Sequence, residues 1–274
     1  MAIKKYLAIA DNTISNAFDQ SLIGANRATG SNMGAADILE TFSLYGQSSS
    51  SSGLSSELSR ILVQFQTSDI TSDRTAGNIP AAGGVSFYLK LYNARHSSTL
   101  PENYTLSVLA VSQSWQEGSG LDMVNYTDKT YGLSGSTWTQ ARNSGSISAV
   151  DDGKWTSAGG DYHSSPTFEA NFTEGYEDLE VNVTSLVEQW LAGTKENYGF
   201  GVKFKDSFEQ QRKSYYTKKF FARGTEFYYK RPCLEARWDN AKQDDRGTFF
   251  LSSSLAPKED NTNTIYLYNS IRGR

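Results

Sequence analysis

The chain has 274 residues, with 26 Lys and Arg against 30 Asp and Glu, so its net charge of −4 leaves no basic surplus for nucleic-acid phosphates. No apolar run approaches the roughly 18 residues a membrane-spanning helix needs, and the opening MAIKKYLAIADNT is too briefly apolar to read as a signal peptide. These features predict a protein made and kept in the cytoplasm, with neither membrane nor nucleic acid as a partner. Hydrophobic residues make up 38% and aromatics 13%, and 23 Gly with many Ser and Thr separate the apolar runs, the profile of short strands joined by long polar loops.

Tyr6 to Ile14 is the first predicted strand, followed by a polar stretch through Gly34. Ile38 to Tyr45 comes next, with Ile38, Phe42 and Leu44 expected to point inward. A serine run, Ser48 to Ser52, reads as a flexible hairpin tip. Arg60 to Gln66 is nearly continuous apolar sequence, as expected of a central strand buried on both faces. Gly83 and Gly84 turn the chain into Val85 to Tyr92, which alternates cleanly, and Tyr104 to Val111 repeats the pattern.

Ser112 to Thr167 is a long Gly- and Ser-rich segment holding Trp115, Trp138 and Trp155. Loops of that length are usually functional. Together with Tyr131 and Tyr162, these tryptophans form the candidate contact surface, although Trp in such a loop also serves to cover a sheet edge. Thr167 to Phe172 is a strand. Leu179, Val181 and Val183 then alternate into the only segment with helical periodicity. Ser185 and Glu188 have capping-box spacing, Leu186, Val187, Trp190 and Leu191 share one face, and Gly193 ends the helix, which spans about 185 to 192. A helix this short is marginal alone and must pack on the sheet, making Trp190 its core anchor. Tyr198 to Phe204 alternates again. In Phe220 to Trp238, Pro232 marks an edge or a break between two strands. After Trp238 the composition turns polar, so residues 1–238 are expected to form the domain, and 239–274 a linker with strands that pair with a neighbour or begin another module.

Chemistry-bearing motifs are sparse. His96 and His163 lack partners at metal-ligand spacing, and no nucleophile elbow, phosphate-binding loop, dinucleotide fingerprint or EF-hand is present. The sequence therefore predicts no catalytic residues and no cofactor, with calcium left open as a ligand of the acidic pairs around Asp151-Asp152 and Glu177-Asp178-Glu180. Cys233, the single cysteine, lies among strand residues and is expected to behave as a small hydrophobe. Sequons at Asn103, Asn125, Asn171 and Asn182 carry no weight without a secretory route.

The order of segments SNMGAADILETF, SRILVQF, VSFYLKLY, LSVLAVSQSWQEG, LEVNVTSLVEQWLAG, NYGFGVKF and FFARGTEFYYKRPCLEARW resembles the DNRLRE-type β-sandwich, a jelly roll related to some carbohydrate-binding modules. The resemblance covers roughly Asp11 to Trp238 and implies an all-β jelly-roll β-sandwich with one short capped helix. A start without a signal and a composition rich in Asn, Ser, Thr and Tyr are similar to those of virion structural proteins of tailed bacteriophages. That resemblance implies a non-enzymatic fibre, neck, baseplate or head-decoration component, assembled in the host cytoplasm, whose partners are other virion proteins and copies of itself. A glycan-binding module is the alternative. Three Trp faces aligned in an open groove would favour sugar, whereas Trp buried under loops would favour assembly.

Overall fold

The protein was analysed as a computed structural model, which describes residues 2–18, 27–46, 56–96, 100–121, 135–142, 153–240, 255, 257 and 259. Among the described residues ten strands carry the fold: β1 (Ala2–Ser15), β2 (Ile38–Tyr45), β3 (Ser56–Phe65), β4 (Ser86–Leu91), β5 (Tyr104–Val111), β6 (Tyr162–Phe172), β7 (Leu179–Asn182), β8 (Phe200–Phe204), β9 (Tyr215–Phe221) and β10 (Cys233–Trp238). Three short helices join them: α1 (Ser68–Thr75), α2 (Thr184–Leu191) and α3 (Asp206–Glu209). Ala2–Trp238 forms one compact unit.

Every strand pair is antiparallel, and the architecture is all-β and sandwich- or barrel-like. The long first strand organises it. Ala2–Leu7 pairs with β10; after an irregularity at Ala8/Ala10, the rest of β1 pairs with β3. An extra residue at such a bulge bends a strand, which lets one strand serve two sheets. On its far edge β3 meets β2 along its first half and β8 along its second. β8 continues through β5 to β6, while β10 continues through β4 to β7.

The other branch, from β2 to β9, returns to the extension of β4 through an isolated bridge between Asn93 and Phe220. Two backbone bonds flank that bridge: Phe221 N–H donates to Tyr92 O at 3.0 Å and Ala94 N–H to Lys219 O at 3.0 Å. A hydrogen-bonded ring thus runs β1–β3–β2–β9–β4–β10 and back to β1. Closing a sheet in this way removes exposed edges.

Inside lies the main core, which includes Phe65, Phe87, Leu106, Val108, Phe172, Phe204, Phe220 and Leu234. Burying each such side chain stabilises the fold by about 1.5–3 kcal/mol before the entropy of ordering it. Tyr104 stacks on Phe172 at 4.9 Å between ring centroids and tilts against Phe204 at 5.0 Å. Helix α2 plugs this core with Leu186, Val187 and Trp190, the Trp190 ring standing edge-on to Phe200 at 4.8 Å. Gly193, at φ +69°, adopts the left-handed conformation that ends the helix. Cys233 is buried and free, and burial pushes its thiol up to about 11, so it behaves as a small apolar residue.

Local details differ from the sequence expectations. The capping box does not form. Helix α2 begins at Thr184 with no side-chain cap, Ser185 is exposed, and Glu188 instead pairs with Arg74 at the end of α1. That guanidinium presents two donors to one carboxylate, a stronger arrangement than a return bond to a single backbone N–H. Thr184 holds the helix start by accepting the Phe87 N–H at 2.8 Å. Nor is α2 the only helix. The polar sequence of α1 buries only Ile70, too little to show a helical period.

In β2 the buried residues are Leu39, Thr41 and Ser43, whereas Ile38, Phe42 and Leu44 are half-buried on the other face. Polar residues are tolerated inward because they are satisfied: Thr41 Oγ1 donates to Ser59 O at 2.8 Å, and Ser59 Oγ to Glu40 O at 2.7 Å. Pro232 marks a true break. β10, which follows it, lies centrally between β1 and β4. The serine run at 48–52 lies outside the described residues.

Trp190→Ala is expected to lower the unfolding free energy by about 3–5 kcal/mol in chemical denaturation, since it empties the contact between α2 and β8. Trp190→Phe should cost less, because it keeps a ring against Phe200 and removes an indole N–H that finds no acceptor among the described residues. Equal losses for the two would contradict the anchor role.

Candidate functional site

The described stretches after β5, residues 112–121, 135–142 and 153–161, pack over the outer face of the sheet. That face carries Ile14 of β1, Leu62 of β3 and Val111 of β5, and Trp115, Trp138 and Trp155 cover them in a second apolar cluster. The indole N–H of Trp115 donates to Tyr198 O and that of Trp155 to Thr137 O, each at 2.8 Å. All three tryptophans are buried. They do not form the expected contact surface, because an apolar outer sheet face left bare would meet water.

Tyr162 stands at the margin of the same cluster, half-buried, with its hydroxyl donating to Gly159 O at 2.8 Å and pushed up to about 12 by burial. Its ring lies over Gly201 of β8, where an added Cβ would come within 2.0 Å of Tyr162 Cε1. Tyr131 lies outside the described residues. Trp190 belongs to the main core.

Buried polar groups fasten this cover. The Asn12 side chain on β1 donates to Ser136 O and Oγ, both at 2.8 Å, and accepts the Met33 N–H at 3.0 Å. Asn32 donates to Glu117 O at 2.7 Å and Ser136 O at 2.8 Å, and accepts the N–H of Gly120 at 2.8 Å. Two carboxamides thus supply hydrogen bonds to backbone groups that water cannot reach. On β3, Arg60 extends over the Trp138 ring at 5.0 Å, pairs with Glu209 at 2.7 Å and donates to Gly159 O at 2.9 Å.

Surface aromatics appear elsewhere, on the connection between β9 and β10. Its base is tied down: Ala222 N–H donates to Asp37 O at 2.9 Å, the Arg223 guanidinium grips Glu117 at 2.6 Å, and the Arg223 N–H donates to the buried Asp11 carboxylate. Its tip is a 3-10 turn, Tyr228–Lys230, that presents three consecutive aromatics, with Phe227 52%, Tyr228 55% and Tyr229 86% exposed. Lys230 Nζ lies 4.9 Å from the Phe221 ring centroid, and the Arg231 guanidinium 5.4 Å from that of Tyr228. Arg231 also donates through Nε and Nη2 to Thr225 O at 3.2 and 3.1 Å, locking the turn from beneath. Exposed aromatic and Arg side chains on a pre-ordered loop are what interface hot spots are made of.

Sequence reasoning placed this segment in a strand. The available signal was its bracketing by Gly224 and Pro232, both strand breakers, around FYYKR.

The acidic run leading into β7 is committed to protein partners. Glu177 accepts the backbone N–H groups of Thr173, Glu174 and Gly175, Asp178 accepts that of Asn93, and Glu180 pairs with Lys90 and Arg237. Among the described residues no group of three or more His, Cys, Asp or Glu is placed to hold a metal ion; Asp151 and Asp152 lie outside them. No known family's model matches the chain, and no curated protein matches it in sequence.

Asp11 gives this region a pH dependence. Burial first, and the Glu117 charge with it, push its carboxyl up to about 7 against the opposing bond from Arg223. The folded state therefore keeps a proton that the unfolded chain loses near pH 4, and the stability this brings is lost as pH rises through about 7. Asp11→Asn should abolish that part of the decline, worth up to about 1.4 kcal/mol per pH unit, and leave the variant more stable than wild type at pH 8 in parallel denaturation series. Curves that stay parallel from pH 5 to 8 would contradict it.

Proposed function

We propose that this chain is a non-enzymatic structural module of a tailed-phage virion, a jelly roll that docks on other virion proteins or on copies of itself. The observation that carries this reading is the ordered, exposed aromatic and cationic tip Phe227–Arg231. Three adjacent aromatics facing water cost solubility, and none of them belongs to either apolar core, so their use lies in a contact. The order of sequence segments and the DNRLRE-type resemblance support the same reading. Burial of Trp115, Trp138 and Trp155 removes the flat platform on which the glycan-binding alternative was founded.

Mass spectrometry of purified particles of the encoding virus should find the chain, with chemical crosslinks from Lys230 to another virion protein or a second copy. Tyr228→Ser combined with Tyr229→Ser should reduce incorporation at least about tenfold, the loss of a modest hot spot, with the melting temperature unchanged. Absence from particles, or a glycan-array signal that this double variant abolishes, would replace the proposal with the sugar-binding reading.

A further inference from the structure

Lys218 on β9 is fully buried, at 0% exposure. Its amine lies between two rings, 5.0 Å from the centroids of both Phe172 and Phe220. It is met by three amide-type oxygens rather than by a carboxylate: Asn93 Oδ1 at 2.6 Å, Gly175 O at 2.7 Å and Glu177 O at 2.8 Å. Desolvation pushes the ammonium down to about 8, the nearby charges of Glu177 and Asp178 opposing it. A buried lysine brought into the range where its free base is populated is a nucleophile.

Asn93 is held on several sides. Its backbone N–H donates to Asp178 Oδ1 at 2.8 Å, and it forms the isolated bridge to Phe220. Its Oδ1 also lies 2.9 Å from His96 Nε2. Burial and the charges of Lys218 and Lys219 push the imidazole down to about 4, against a backbone hydrogen bond at Thr217, and in the tautomer protonated at Nε2 the neutral ring donates to Oδ1. A carboxamide carbonyl polarised by one donor, with an amine at hydrogen-bond distance from its oxygen, is arranged for acyl transfer.

We propose that Lys218 and Asn93 join in an intramolecular isopeptide bond. The Lys218 free base attacks Asn93 Cγ, forming the new C–N bond while the carbonyl electron pair moves onto Oδ1, where His96 Nε2–H stabilises it. The proton released from the attacking nitrogen passes to Nδ2. The carbonyl re-forms, the Cγ–Nδ2 bond breaks and ammonia leaves, taking up the proton the lysine gave when it became a free base. Ammonium and carboxamide become a secondary amide and an ammonium ion, with no oxidant or co-reactant. The bond would staple β9 to the extension of β4, where an isolated bridge closes the strand ring, and would link residues 125 positions apart. This inference does not depend on the virion reading.

Intact-mass spectrometry of the full chain, incubated at about pH 9 so that the amine is largely free base, should show a species lighter by one ammonia. Tandem spectra of its digest should contain a branched peptide joining Lys218 to Asn93. Lys218→Arg and Asn93→Ala should each keep the full mass and melt at a lower temperature than the linked protein, because a crosslink between distant residues restricts the unfolded chain. His96→Phe should slow the loss of ammonia about a hundredfold, the usual effect of removing one oxyanion donor. Wild-type chain that keeps its full mass overturns the proposal. So does an ammonia loss that persists in Lys218→Arg, which would be succinimide formation at an asparagine.

Discussion

Strand β3 carries large apolar side chains on both of its faces, and the rest of the molecule is arranged to cover them. Ile61, Val63 and Phe65 point into the main core; Leu62 points the other way. The inner face is served by the opposite sheet and by α2. The outer face would meet water if the chain between β5 and β6 were a free loop. Instead the described stretches of that chain contribute three indoles and lie on the sheet, forming a second apolar cluster on its outer face.

A loop drawn over a sheet faces a polar problem as well as an apolar one. Its backbone N–H and C=O groups lose water without gaining a strand partner. Asn12 and Asn32 answer this by bonding several backbone groups each, and Arg60 does so by combining Glu209, the Gly159 carbonyl and the Trp138 face. The same cover reaches the β9–β10 connection, since Glu117 in the loop holds Arg223 at the base of the aromatic tip. Packing on the outer face and presentation of the tip are therefore linked through Glu117 and Arg223, beside the buried Asp11 carboxylate that accepts the Arg223 N–H.

The all-β class and most strands were legible in the sequence, because alternation and burial share a period of two: Phe200, Val202 and Phe204 are buried as their spacing predicts, and Leu62 shows why Arg60 to Gln66 reads as apolar on both faces. What was not legible depended on distant partners. Glu188 reads as a capping residue until Arg74 is brought to it, and Thr41 reads as outward until Ser59 supplies its hydrogen bond. Trp115, Trp138 and Trp155 are equally suited to an interface or a core, and the uncovered face beneath them decides between the two. The buried amine of Lys218 was invisible, since in sequence it is one lysine beside another in KKFF.

Amide hydrogen exchange tests the two-core account most directly. The N–H groups of Gln116, Ala141, Trp155 and Gly159, each bonded to a backbone carbonyl in the cover, should be protected to nearly the same extent as those of β3, because the cover and the strand beneath open together. Exchange of these amides at the rate of unstructured chain while β3 stays protected would contradict it, returning the segment to the role of a free loop.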